Sequence, residues 1–109
     1  MKIIIVEEDV ELGMSLKTEL QKQGFTVDLL TDGEESSTRL KMHHSNYDLA
    51  ILGLNLPGKP GHEICAELRT LQIGLPIMML VESGMNESKI AAFDVGADDC
   101  VAKPISIRE

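Results

Sequence analysis

Asn46-Tyr47-Asp48-Leu49-Ala50-Ile51-Leu52-Gly53-Leu54-Asn55-Leu56-Pro57-Gly58-Lys59-Pro60-Gly61 is the stretch that decides the fold. Asp48 to Leu52 is a short apolar run with turn residues at both ends. It predicts a strand covered on both faces, as strands of a parallel sheet are. Gly53 to Gly61 carries two prolines and three glycines, which predicts a loop. Open parallel α/β sheets place their chemistry at the carboxyl tips of such strands. Gly53 stands at that tip and brings no side chain.

Outward from this strand, apolar runs and helical patterns alternate. Lys2 to Val6 is β-branched and predicts the first strand, ended by Glu7, Glu8 and Asp9. Asp9 is placed to cap a helix with Leu12, Leu16 and Leu20 at four-residue spacing, closed by Gly24. Phe25 to Leu30 reads as a second strand. Asp32 with Glu35 three residues later forms a capping box for a second helix, running to about His44, whose apolar periodicity is weak. Beyond the central loop, Ile64, Cys65, Leu68 and Leu71 mark one face of a third helix. Ile77 to Val81 predicts the fourth strand. Asn86 to Val95 predicts a fourth helix ended by Gly96, and Cys100 to Ala102 a fifth strand stopped by Lys103-Pro104. Repeated βα units require right-handed crossovers and a parallel sheet with helices on both faces. Ser106 to Glu109 is a second capping box, so the sequence stops one turn into a fifth helix that is truncated or missing.

Composition bounds the function. The 109 residues suit one domain, with 43% hydrophobic and 26% charged residues. Aromatics are only 3%, so aliphatic residues and six methionines must fill the core. A net charge of −8 argues against direct binding of nucleic acid or anionic membrane by this segment, which would need a basic face. Two isolated cysteines, Cys65 and Cys100, read as reduced and packed in a cytoplasmic protein. No signal peptide and no membrane-length run is present. His43-His44 reads as a solvated pair rather than a metal site, and Met78-Met79 as core filling.

The blocks IIIVEED, DLAILGLNLPG and FDVGADDCVAKP, at these spacings, resemble the receiver domain of bacterial response regulators. The likeness covers essentially the whole chain, residues 1–109, and is nearest to the OmpR/PhoB subfamily. It implies the CheY-like, flavodoxin-like fold: a doubly wound five-stranded parallel sheet of order 2-1-3-4-5. It also implies a DNA-binding domain beyond residue 109 in the parent protein. In that family an aspartate ending the third strand accepts a phosphoryl group. Two acids after the first strand, with a backbone carbonyl two residues past the aspartate, hold Mg²⁺. A Thr or Ser ends the fourth strand, an aromatic sits in the fifth, and a lysine precedes proline.

Carried over residue by residue, the acid pair is Glu7 and Glu8, the carbonyl donor is Asn55 and the lysine is Lys103. The acceptor position is Gly53, the hydroxyl position Val81 and the aromatic position Cys100. Glycine offers no nucleophile. Asp48 cannot replace it, because it lies at the other end of the strand, about 17 Å away. With Gly53 removing one ligand and Glu8 one methylene longer than aspartate, Mg²⁺ binding is expected to be weak or absent. Val81 cannot donate to a phosphoryl oxygen, a bond to a charged group being worth about 1.5–3 kcal/mol. Throwing a two-state switch takes about 5.5 kcal/mol, so much of the drive is gone. Lys103 is expected to pair with Glu7, Glu8 or Asp9, and Lys103-Pro104 to hold a cis bond.

The sequence therefore reads as a pseudo-receiver: not an enzyme, but a phosphorylation-independent regulatory and dimerisation module of a transcription factor. In the subfamily, receivers dimerise through the fourth helix, fifth strand and fifth helix. The resemblance places Lys89, Asp98, Asp99 and Glu109 in that interface, with Lys89 facing Glu109 of the partner subunit. The alternative is a stand-alone adaptor that binds a kinase or other protein without accepting phosphate. A flavodoxin-like enzyme or nucleotide binder is rejected, because three acids replace the phosphate loop after the first strand.

Overall fold

The computed structural model describes residues 1–82 and 94–103. Five parallel strands form one sheet: β1 (Lys2–Val6), β2 (Thr26–Leu30), β3 (Leu49–Gly53), β4 (Ile77–Val81) and β5 (Asp99–Ala102). Their order is β2-β1-β3-β4-β5, as the repeated βα pattern and the family likeness predict. Three helices are described: α1 (Val10–Lys22), α2 (Gly33–His43) and α3 (Gly61–Thr70), with a 3₁₀ turn at His44–Asn46.

Alternation along the central strands splits the interior in two. Ile4, Val6, Ala50, Leu52, Ile77, Met79 and Val81 face α2 and α3, where Leu40, Ile64, Cys65 and Leu68 meet them. Ile3, Ile5, Ile51 and Leu80 face the other way, against Leu16 of α1 and its partly buried neighbours Leu12 and Leu20. β3 lies mid-sheet with helices over both faces, which is why its run is apolar without a break.

Local signals explain most element ends. The Asp9 carboxylate accepts from the Leu12 amide at 3.3 Å and that of Asp32 from the Glu35 amide at 2.8 Å. Gly24, at φ +96°, follows α1 in the left-handed conformation that suits glycine. One expectation is explained and one shifts. α2 shows weak apolar periodicity because Ser36 and Ser37 stand buried on its inner face. The Ser36 hydroxyl donates to the Asp32 carbonyl at 2.6 Å, which lets a polar side chain sit there without penalty. Leu71 was expected on the inner face of α3, but the helix ends at Thr70 and Leu71 is 55% exposed. The helical phase that put it inside no longer applies past that end. The fourth helix, the Lys103-Pro104 bond and the fifth helix lie outside the described residues.

Candidate functional site

Parallel pairing brings the chain's chemistry to one edge of the sheet. Register aligns Val6 with Leu52, Gly53 with Leu80, and Val81 with Ala102. Glu7 and Glu8 after β1, Gly53 at the tip of β3, Glu82 after β4 and Lys103 after β5 therefore share one pocket. Backbone bonds fix its walls: the Glu7 amide donates to the Leu30 carbonyl at 3.0 Å, and that of Lys103 to the Val81 carbonyl at 2.8 Å.

Glu7 is completely buried. Its Oε2 accepts from the Asp9 amide at 2.9 Å and from Lys103 Nζ at 3.1 Å. Lys103 Nζ also lies 3.1 Å from Glu7 Oε1, 3.5 Å from Glu8 Oε1 and 3.8 Å from Glu82 Oε1. Burial pushes the Glu7 carboxyl above its ordinary range; the Asp9 amide and Lys103 pull it down, and the Glu8 charge pushes it further up. Burial works to lower Lys103, but Glu7, Glu8 and Glu82 outweigh it and hold the ammonium above the usual lysine range. Of the partners the sequence offers Lys103, Glu7 and Glu8 take the role and Glu82 joins them. Asp9 contributes its backbone amide instead.

The tip of β3 is where the geometry is most specific. Glu7 Oε1 and Glu8 Oε2 are buried and accept no hydrogen bond. Both point at Gly53: a β-carbon there would lie 2.7 Å from Glu7 Oε1, 2.8 Å from Glu8 Oε2 and 3.3 Å from the Val6 carbonyl. The two carboxylates occupy the room a side chain at this position would need. Backbone conformation is not what demands glycine, since Gly53 is absent from the positive-φ positions Gly24, Gly58 and Gly96. Gly61 differs. A β-carbon on it would stand 2.0 Å from the Gly53 carbonyl oxygen, so only glycine lets α3 start so close to the strand tip.

Val81 is buried at the end of β4 and presents no hydroxyl, Cys100 is half-buried on β5, and Asn55 is exposed in the loop after β3. Magnesium demands octahedral oxygen geometry and keeps several of its waters. Here two carboxylates converge with an ammonium already between them and no acid at position 53. Among the described residues no three His, Cys, Asp or Glu side chains gather to hold a metal. This donor set does not fit the ion.

A model of the response regulator receiver domain matches residues 3–109. The chain belongs to that family. The receiver is 38% identical over 109 residues to response regulator RppA of Synechocystis, covering all of this chain and 47% of the relative. It is also 38% identical over 109 residues to the two-component response regulator PhoP of Pseudomonas aeruginosa, covering all of this chain and 48% of PhoP. The chain thus spans about half the length of these relatives. Among solved structures, the receiver domain of Francisella response regulator 1452 superposes with a TM-score of 0.90 at 26% identity, covering 98% of this chain and 87% of that one. The BeF₃-activated receiver domain of Klebsiella pneumoniae RstA gives 0.88 at 29% identity, covering 99% and 90%.

The residues assigned to a dimer face fare unevenly. Asp98 is committed within the receiver, its Oδ2 accepting from Arg69 Nη2 at 2.9 Å and from the Ile77 amide at 2.8 Å. Asp99 is exposed and its Oδ1 accepts from the Cys100 amide at 2.8 Å. Lys89 and Glu109 lie outside the described residues. No described helix is long and apolar enough to cross a membrane. In a shallow depression of about 600 Å³ beside α2, Lys2, Arg39 and Tyr47 converge on one carboxylate: Asp28 Oδ2 accepts from the Tyr47 hydroxyl at 2.6 Å and lies 3.6 Å from Lys2 and 3.9 Å from Arg39.

Sequence reasoning missed Glu82 as a member of the pocket. The signal was present, since the residue after β4 must lie beside the residue after β5 once those strands pair in parallel. It also missed that Glu7 is sealed from solvent, which no spacing along one strand reveals.

Proposed function

We propose that this receiver is the phosphorylation-independent regulatory and dimerisation module of a cytoplasmic response-regulator transcription factor. In this reading a DNA-binding domain follows residue 109 of the parent protein. Relatives of about twice its length that carry the words "transcriptional regulatory protein", QseB of Escherichia coli among them at 35% identity, support the wider role.

One observation carries the independence from phosphate. At Gly53 the space for an acceptor side chain is taken by Glu7 Oε1 and Glu8 Oε2, and glycine has no nucleophile to offer. Glu7, the nearest carboxylate, is fully buried and presents no oxygen to an incoming donor. Val81 withdraws the hydroxyl that would bind a transferred phosphoryl group, and Lys103 is engaged by three carboxylates instead. The pocket is set in one arrangement, and output then follows protein concentration or a binding partner.

Incubation of the receiver with acetyl phosphate and Mg²⁺, read by intact mass, tests this. The expected result is an unchanged mass. A stoichiometric gain of one phosphoryl group would overturn the reading.

A further inference from the structure

Three carboxylates meet one ammonium at the carboxyl edge of the sheet, and the charges do not balance. Glu7 is fully buried, and both its Oε1 and Glu8 Oε2 are left without hydrogen-bond donors. Buried carboxylate oxygens in this condition call for a cation close by. Lys103 Nζ answers at 3.1 Å from both oxygens of Glu7. A metal ion bound directly to Glu7 would press against that ammonium, in surroundings where burial leaves like charges poorly screened.

We infer that Lys103 is the resident cation of this pocket and that its ammonium excludes divalent metal from Glu7 and Glu8. The inference rests on the proposed reading of Gly53, because an acid at that position would add a third carboxylate at the strand tip and shift the balance toward metal. Lys103 differs from a metal in being tethered. Its amide is bonded to Val81, so the ion pair ties the end of β1 to the β4–β5 edge with no ligand to gain or lose. Metal availability then has no hold on this receiver.

Amide NMR with Mn²⁺ as the only addition provides the test. In the wild-type protein, millimolar Mn²⁺ is expected to leave the Glu7, Glu8 and Gly53 amides no more broadened than amides elsewhere. Selective broadening there would overturn the inference. Lys103→Met should gain it, with affinity at least about tenfold tighter than wild type, and Lys103→Arg should keep the exclusion. A folded Lys103→Met protein that gains nothing also overturns it. Should Lys103→Met fail to fold, lysine acylation of the wild-type protein decides. Lys103 should label about tenfold more slowly than Lys22, whose side chain is 68% exposed, and Mg²⁺ should not change its rate. Faster labelling of Lys103 in Mg²⁺ would mean the metal displaces it. Phosphoryl gain by mass fails the reading of Gly53, whereas metal entry in the wild type fails only the role given to Lys103.

Discussion

Two ionic clusters in this receiver are built as opposites. At the carboxyl edge of the sheet, Glu7, Glu8 and Glu82 surround the single ammonium of Lys103. At the junction of α2 and α3, Lys41 and Lys59 surround the single carboxylate of Glu67, with Lys59 at 2.8 Å and the Ser37 hydroxyl at 3.5 Å. The first cluster has an excess of anions and is centred on a fully buried carboxylate; in the second the cations are in excess and the side chain of Glu67 is 28% exposed. Proton affinity moves accordingly. Burial raises Glu7, while the bonds from Lys41 and Lys59 pull Glu67 down to about 2. Water can take over for a lost partner at the α2–α3 junction, but not at Glu7. The same kinds of residue thus make a constraint in one place and an adjustable contact in the other.

Removing the cation from each cluster should expose this difference. Lys103→Met leaves Glu7 buried without its counter-ion, and breaking such a pair costs about 3 kcal/mol or more. Lys41→Met leaves Glu67 with Lys59 and with water, at about 1 kcal/mol or less. Urea unfolding of both variants measures the gap. Equal losses would break the contrast and would mean the acid pocket is wetter than its geometry implies.

Gly53→Asp sharpens it from the other side. The new β-carbon must displace the carboxylate ends of Glu7 and Glu8, and it brings a further negative charge into an anion-rich pocket. A loss of about 2 kcal/mol is expected by urea unfolding. Because Val81 still lacks a hydroxyl, acetyl phosphate should not promote dimerisation of this variant, as read by light scattering. Donor-dependent dimerisation from that single change would show that the hydroxyl at the end of β4 is dispensable here.

The contrast also separates what the sequence makes legible from what it hides. Leu49 to Gly53 is mid-sheet, so every position is under the same demand for apolar bulk, and the run announces its strand. The loop with Gly61 is equally plain, because the close approach to the Gly53 carbonyl admits nothing larger. The acid pair, Gly53, Val81 and Lys103 are visible as site positions through the family likeness. What they do to one another is not, because it depends on side-chain direction across four strands. The sequence already reads Glu7 and Glu8 as a weakened metal pair with Lys103 as a partner; what only the space shows is that their oxygens turn toward Gly53 and that Glu82 joins the same ammonium. α2 stays obscure for a different reason, its inner face carrying Ser36 and Ser37, whose hydroxyls donate to the Asp32 carbonyl at the helix's own N-cap and to the Glu67 carboxylate of α3. Asp98 reads from the family likeness as a dimer-face charge; it is exposed, but its Oδ2 already accepts from Arg69 and the Ile77 amide of its own chain.

A comparably small effect is expected at Glu67 itself, and it runs with pH. The carboxyl of Glu67 sits at about 2 in the folded receiver against an ordinary 4.5, so the folded state holds this group's proton less tightly than the unfolded chain does. Its stabilising contribution is therefore complete above the ordinary value and is lost as pH falls toward the folded one. Partial exposure screens the ion pairs, so Glu67→Gln should cost about 1 kcal/mol at neutral pH. That cost should shrink steadily from about pH 5 to about pH 3, because protonation does to the wild type what the substitution has already done. Glu7 carries the opposite sign: a carboxyl raised by burial favours the folded state in acid and gives up that contribution as pH rises through its folded value. Urea midpoints of the wild type and Glu67→Gln across that range isolate the Glu67 share, since Glu7 titrates alike in both. A difference that stayed constant down to pH 3 would place the role of Glu67 in packing against Ser37 rather than in its charge.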